Sequence, residues 1–180
     1  MSAGVVFNVK VSPFEEEQCK EKLIAQGSSI IDIAGALARG KAREVAQSES
    51  GLVIGCDQVL EFRDALISKP RSKEDARQLL ETLRGNTHRL FSAAAIYEDG
   101  KLVWTHIGEA KLTMRNFSDG YVKDYLDRNW DSIQSSVGGY KLEEEGVRLF
   151  CEIKGDYFNV LGMPLLEILE YLGQRKAIAT

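Results

Sequence analysis

The sequence lacks the features that mark membrane, secreted and metal-stapled proteins. It has three cysteines in 180 residues, Cys19, Cys56 and Cys151, and none has CxxC or Cys/His ligand spacing. No apolar run approaches the ~20 residues that cross a bilayer, and no basic-then-apolar signal opens the chain. These absences predict a cytoplasmic protein without membrane contact, with reduced and mostly buried thiols.

The sequence also lacks an excess of positive charge and the common nucleotide-binding loops. Acidic residues outnumber basic ones by 27 to 23, and the pI is near 5.3, which argues against binding to a nucleic-acid polymer. No G-x-G-x-x-G or Walker loop occurs, and His88 and His106 are not at metal-ligand spacing. Nucleotide binding by another kind of site is not excluded.

Strand and helix patterns alternate along a chain of single-domain length. Period-two alternation predicts a half-buried strand at 7–11, and the dense Val, Ile and Leu of 52–62 predict a central strand. The further predicted elements are helices at 29–46 and 72–85, a hairpin at 88–115 turning at Asp99-Gly100, a helix from Ser118, a strand at 147–155 and a helix at 165–172. This order predicts an α/β fold with a mixed central β-sheet flanked by helices.

Asp57 and Lys69 are the first candidates for chemistry. Asp57 interrupts a buried strand and would suit a metal ion or general-base catalysis, although a structural Asp bound to backbone amides explains the local pattern at least as well. Lys69 precedes Pro70, which favours an extended backbone, and a helix N-terminus that Ser72 can cap. A helix N-terminus attracts anions, so Lys69 is a candidate phosphate contact.

Further candidates have equally ordinary local explanations. Lys41 lies close to the apolar face of the helix at 29–46, where a lysine usually extends outward to solvent. Glu15 and Glu16 belong to an acidic loop of the kind that is usually solvated. Lys141 and Glu143 follow tight glycines that allow close backbone approach to a ligand, and a hairpin turn is the alternative there.

Six sequence motifs follow one another along the chain. They are ALARGKAREVA, VIGCDQVL, ISKP, LRGNTHRLFSA, SVGGYKLEEEGVRLF and IKGDYFNVLGMPL. Together they resemble the Maf family of nucleoside triphosphate pyrophosphatases over most of the chain, with Cys56 for Ala and Gln58 for Thr in the second motif and Ser68 for Gly in the third. A single one of these motifs would be a weak signal, whereas their shared order is specific and favours a functional role for Asp57.

The resemblance implies a two-lobed fold with a cleft and the hydrolysis of a nucleoside triphosphate to monophosphate and pyrophosphate with Mg²⁺ or Mn²⁺. Such a reaction needs charge neutralisation on the phosphates and an activated water. The implied roles are catalysis or phosphate binding for Asp57, Lys41 and Lys69, metal binding for Asp57, Glu16 and Glu15, and substrate binding for Glu143, Lys141 and Gln58.

Two departures from the family pattern change these expectations. Family members normally begin one strand and one helix earlier, with a phosphate-gripping S-x-S-P-R-R loop, whereas Gly4–Val11 here corresponds to the segment after that helix. We therefore expect one two-lobed domain over 1–180 without that element, through a downstream start or degeneration, and weak or absent activity. Glu143 replaces the Gln of thymidine- and uridine-directed members, which favours guanine-type or modified purine substrates because a carboxylate only accepts hydrogen bonds.

Two other classes of function stay open at this point. The first is a nucleotide-binding regulatory protein without turnover, since the family has been linked to inhibition of septum formation. The second is a purely structural domain, against which the joint presence of Lys41, Asp57 and Lys69 argues. The expected partners are a nucleoside triphosphate and a second copy in a homodimer. A house-cleaning pyrophosphatase acting on non-canonical nucleotides is the leading hypothesis.

Overall fold

The computed structural model describes residues 3–179 and confirms the α/β class. Within these residues the chain forms five strands, six α-helices and one 3₁₀ helix. In chain order they are α1 Glu16–Ala25, α2 Ile30–Ala46, β1 Leu52–Phe62, β2 Ala65–Ile67, α3 Lys73–Leu83, β3 Thr87–Glu98, β4 Lys101–Met114, α4 Asp119–Ile133, the 3₁₀ helix Glu145–Leu149, β5 Phe150–Lys154, α5 Tyr157–Val160 and α6 Leu165–Gln174.

The five strands form one sheet in the order β2-β1-β3-β4-β5. The pairs β1–β2 and β4–β5 are antiparallel, and β3 also runs against β1, since Gly51 contacts Asp99 while Glu61 pairs with Arg89. The prediction of a mixed sheet is therefore corrected to an antiparallel one. The connection through α3 does join two parallel strands, β2 and β3, but β1 lies between them.

Most of the predicted elements are confirmed because their local signals are strong. The hydroxyls of Ser29, Ser72 and Ser118 accept hydrogen bonds from backbone N–H groups three residues later and so begin α2, α3 and α4. Asp99 and Gly100 have φ of 47° and 78°, as a tight primed turn between β3 and β4 requires. No helix in the described range 3–179 is long and apolar enough to cross a bilayer.

The predicted strand at 7–11 is wrong. The segment forms no strand in the part of the chain that the structure describes, and Phe7, Val9 and Val11 are 74%, 81% and 94% exposed. An alternating pattern yields a strand only when a neighbouring strand supplies ladder hydrogen bonds and a buried face. The sheet provides neither for this segment.

Two short elements were not predicted, and one thiol departs from the expected burial. The strand β2 follows a turn at Arg63-Asp64, where both residues have positive φ without the glycine that usually signals such a turn. The helix α5 has only four residues. Cys151 is exposed rather than buried, whereas Cys19 and Cys56 are half-buried free thiols.

The chain divides into two compact units, each with its own apolar core. The first contains the described residues up to Asp57, Ala93–Ile107 and the described residues from Met163 onward. In it, Ala94, Ile168 and Leu172 are buried together. The second contains Gln58–Ser92 and Gly108–Gly162, and its core includes Leu60, Leu80, Leu83, Leu112 and Tyr125.

Candidate active site

Close packing between β1 and α2 in the first unit brings a carboxylate and a lysine together. Asp57 lies in the middle of the 11-residue β1, which continues through the buried Val59 and Leu60. A Cβ on Gly55 would lie 2.7 Å from the Ala38 carbonyl oxygen and 2.6 Å from the Ala42 backbone nitrogen. Glycine at 55 therefore lets the α2 backbone approach the strand beside Lys41.

Lys41 bridges two carboxylates from different elements. Its Nζ donates to Asp57 Oδ1 on β1 and lies 2.8 Å from Glu16 Oε2 at the beginning of α1. The Asp57 side chain is 7% exposed, against 29% for Lys41 and 27% for Glu16. The ammonium thus offsets the desolvation of a buried carboxylate while one side of the cluster stays open to solvent.

The segment before α1 is attached to α2 at the residues next to Lys41. Ser12 Oγ donates to the Lys41 carbonyl oxygen at 3.0 Å. The Phe14 ring lies on Gly40, where a Cβ would overlap it. Since Glu16 follows Phe14 by two residues, these contacts set the position from which Glu16 reaches Lys41.

The electrostatic surroundings keep Lys41 charged and Cys56 neutral. Burial alone would lower the pKa of Lys41, but the hydrogen bonds and negative charges of Asp57 and Glu16 outweigh it and raise that pKa above 10.5. Burial, assisted by the charge of Asp57, raises the pKa of the Cys56 thiol to about 12. Cys56 is therefore a neutral packing residue and not a nucleophile near pH 7.

The structure brings together two of the three residues predicted to bind a metal ion. Glu15 occupies the N-cap position of α1 without a side-chain capping hydrogen bond, and its side chain is exposed. Within residues 3–179 no three His, Cys, Asp or Glu side chains cluster as a metal site would require. Asp57 and Glu16 do fit Mg²⁺, which commonly binds one or two carboxylates and completes its shell with waters and substrate phosphates.

In the second unit, Lys69 lies in an exposed connection between β2 and α3. Ser72 caps α3, as predicted, but the first turn carries Glu74 and Asp75, and Asp75 already accepts from the Arg71 N–H at 3.0 Å. These carboxylates oppose the attraction of the helix N-terminus for anions. A phosphate contact here would therefore depend on the Lys69 ammonium itself.

The three consecutive glutamates at 143–145 have different environments. Glu144 accepts from Ser132 Oγ at 2.7 Å, and the same hydroxyl accepts from Lys141 Nζ at 2.8 Å. Glu145 binds Arg128 and Asn129. Glu143 is exposed, and no described residue offers it a hydrogen bond or salt bridge. Of the three, Glu143 is the carboxylate that is available to a ligand, a distinction that the run of identical residues could not reveal.

Gln58, predicted to bind substrate, is engaged with the protein through its amide nitrogen. Nε2 donates to Ser92 Oγ at 2.9 Å and to the carbonyl oxygens of Asn159 and Val160 at 2.8 and 3.1 Å. Neither Ser92 nor Asn159 was predicted as a partner of Gln58. The sequence did contain one signal for Ser92, which is the only hydroxyl before Tyr97 in the apolar run LFSAAAIY. A polar group buried in such a run needs a hydrogen-bond partner.

Comparison with known proteins gives consistent names. The sequence profile of Maf-like proteins matches residues 1–175. The chain is 52% identical over 172 residues to the nucleoside triphosphate pyrophosphatase of Ruegeria sp. (strain TM1040), covering 95% of this chain and 86% of that protein. The protein of the same name from Roseobacter denitrificans (strain ATCC 33942 / OCh 114) is 53% identical over 175 residues, covering 97% of this chain and 88% of that protein. The 7-methyl-GTP pyrophosphatase of Brucella abortus biovar 1 (strain 9-941) is 39% identical over 178 residues, covering 98% and 89%.

Proposed function

The chain belongs to the family of Maf-like proteins, and from this premise we propose that it hydrolyses a nucleoside triphosphate to the monophosphate and pyrophosphate. Relatives at 52% and 53% identity carry the name nucleoside triphosphate pyrophosphatase. The observation that supports the proposal most directly is the Lys41 ammonium held between Asp57 and Glu16. It combines a cation for phosphate oxygens with two oxygen ligands for a divalent cation.

We assign separate tasks to the members of this cluster. Lys41, permanently charged near pH 7, binds an oxygen of the triphosphate and stabilises the negative charge that develops there. Asp57 is the carboxylate that orients the attacking water and accepts its proton. Glu16 and Asp57 would hold Mg²⁺ or Mn²⁺, which neutralises phosphate charge and lowers the pKa of bound water when present. Lys69 is assigned to a further phosphate oxygen.

The experiment that tests this function measures pyrophosphate release with Mg²⁺ for the chain and for Asp57→Asn. We expect weak but measurable turnover in the parent and a loss of about 10²-fold or more in the variant, because the amide can neither accept the proton nor balance a metal charge. Asp131→Asn is the matched control, since Asp131 is exposed and offers only its backbone oxygen to Gln134. Turnover unaffected by Asp57→Asn, with both proteins folded, would refute the assignment.

We further propose that the base is a guanine-type or modified purine. Glu143 is the exposed and unengaged carboxylate of the segment 141–145, and a carboxylate matches the N1–H and N2–H donors on one edge of guanine. The relative from Brucella abortus named 7-methyl-GTP pyrophosphatase points to the same class. Lys141, held near Ser132 and Glu144, is assigned to the same binding segment.

A panel of GTP, 7-methyl-GTP, UTP and dTTP tests the base assignment. We expect the two purines to have the higher kcat/KM, and Glu143→Gln to reduce that preference by about tenfold, the effect of one hydrogen bond to a charged group. Glu170→Gln serves as the control, because Glu170 is exposed on α6 and lies outside the segment 141–145. Preferential turnover of dTTP and UTP by the parent would contradict the proposal.

The regulatory alternative makes a different prediction for the same samples. A protein that binds nucleotides without turnover would show saturable binding by calorimetry and no pyrophosphate release at any tested Mg²⁺ or Mn²⁺ concentration. In that case Asp57→Asn could change only the affinity for the nucleotide, since there is no turnover to lose. Running both measurements on the same preparations separates the two functions.

A further inference from the structure

We infer that Gln58 is a positioning residue that fastens the segment Asp156–Gly162 to β1 beside Asp57. This inference rests on the proposed function for its kinetic consequence, but its structural content stands independently. It differs from the role that the sequence suggested for Gln58, which was direct contact with substrate. The two roles predict different kinetic changes.

The orientation of the Gln58 amide is determined by its neighbours. Two of its three partners, the carbonyl oxygens of Asn159 and Val160, can only accept hydrogen bonds. The nitrogen must therefore face the segment 156–162, with the oxygen turned away. An amide nitrogen has two hydrogens, so three acceptors within 3.1 Å occupy its donor capacity completely. No donor is left for a nucleotide base.

The same carbonyl receives a second buried donor from the neighbouring strand. Ser92 on β3 is fully buried, and its Oγ donates to the Asn159 oxygen at 2.6 Å. The Asn159 side chain in turn lies against Gly108 on β4, where a Cβ would overlap it. Three adjacent strands thus hold the turn around Asn159.

The segment needs such support because its own structure is short. The helix α5 has four residues, too few to be stable by themselves. Asp156 caps it through the N–H groups of Phe158 and Asn159. At the other end, Gly162 has φ +98°, and a Cβ at this position would lie 3.8 Å from Gln58 Cβ. Without the Gln58 donor, two buried carbonyls lose a partner, which favours local opening.

The proposed consequence for catalysis follows from the place of Gln58 in β1. Gln58 is the residue after Asp57, so freedom at 58 is transmitted through one peptide bond to the catalytic carboxylate. Misplacement of a reacting group lowers the rate of the chemical step more than it lowers binding. A positioning role therefore predicts a fall in kcat with KM preserved, whereas a substrate contact predicts a rise in KM.

The test uses Gln58→Met, which keeps the chain length and removes both donors. We expect kcat for GTP to fall by about tenfold and KM to stay within about twofold. Hydrogen exchange of the Phe158–Leu161 amides should accelerate by at least about tenfold, because the neutral hydrogen bonds from both amide hydrogens are lost. Ser92→Ala removes a single hydroxyl and should also lower kcat and accelerate exchange, by smaller factors. Gln134→Met, at an exposed position, is the control.

Three results would overturn the inference. The first is unchanged exchange at Phe158–Leu161 in both variants. The second is a rise in KM with kcat preserved, and the third is an effect that differs among GTP, UTP and dTTP, because both would indicate contact with substrate. Hydrogen exchange is measured without nucleotide. An inactive parent would therefore refute the proposed function while the exchange data still decide the positioning role. If Gln58→Met does not fold, Ser92→Ala decides it.

Discussion

Replacement of Lys41 by methionine should destabilise the protein through the charge left on Asp57. Removing one member of a buried ion pair typically costs about 3–5 kcal/mol, because the remaining ion stays desolvated without a partner. The Asp57 side chain is 7% exposed, while Lys41 and Glu16 retain 29% and 27%. Water can therefore partly solvate the vacated position, and we expect the lower limit, about 3 kcal/mol.

A double-mutant cycle isolates this term. In Lys41→Met/Asp57→Asn no buried charge remains, so the double variant should lie within about 1 kcal/mol of Asp57→Asn alone. Urea denaturation at equal m-values gives the free energies of unfolding. Lys123→Met on the exposed face of α4 is the control and should change stability by less than about 0.5 kcal/mol.

The pH dependence of the same pair has a defined sign. The folded-state pKa of Lys41 is raised above its ordinary 10.5, so the folded state holds this proton more tightly than the unfolded state. Its contribution is complete below pH 10.5 and is lost as the pH rises through the folded pKa. The difference between parent and Lys41→Met should thus be constant from about pH 8 to 9. Free-energy changes of the two single variants that add up in the double variant, or a Lys41→Met protein as stable as the parent, would contradict a buried charge left on Asp57.

Three other changes test separate parts of the structure. Gly40→Ala should lower pyrophosphate release and stability despite the better helix propensity of alanine, because the new Cβ overlaps Phe14. Gly120→Ala on α4, where the new Cβ would lie 3.9 Å from Ser118 Oγ, should lower neither quantity. Burial lowers the pKa of His88 from 6.5 to about 4. The free energy of unfolding from urea denaturation should therefore fall by about 3 kcal/mol as the pH is lowered between these values, because the unfolded state takes up the proton. A His88→Phe variant with the same loss of stability on acidification would contradict the attribution to His88. Gly55→Ala should abolish turnover and lower the free energy of unfolding in urea by at least about 3 kcal/mol, since the Ala38 carbonyl and Ala42 nitrogen cannot move aside without shifting α2. Turnover close to that of the parent would contradict the close packing of α2 on β1.

The fold was predictable wherever local signals agree with tertiary packing. Serine caps and apolar spacing located α2, α3 and α4, and Asp99-Gly100 located the long hairpin. The direction of strands was not predictable, because strand–helix alternation does not say whether the next strand joins on the near or far side of β1. The failure at 7–11 has the same cause, since pairing partners are not written in the segment itself.

The candidate site was predictable in composition but not in connectivity. Ordered motifs pointed to Lys41 and Asp57, and the structure adds that one ammonium bridges Asp57 and Glu16. The structural roles of the glycines at 40 and 55 could not be predicted from the sequence, since each is required by the close approach of a residue that is distant in the chain. Gln58 was assigned to substrate binding through the resemblance of its motif to the family, whereas its hydrogen-bond partners lie 34 and about 100 residues away in the chain.

The distribution of the chain between the two units makes them differ in their need for the C-terminal helix. Every residue of the second unit precedes Met163, so a released chain that ends at Gly162 still contains the whole core around Leu80 and Tyr125. The first unit also needs α6, because Ile168 and Leu172 are buried together with Ala94. A chain truncated just beyond Gly162 would therefore keep the residues of the second unit and expose an apolar surface at Ala94, the kind of surface that chaperones bind.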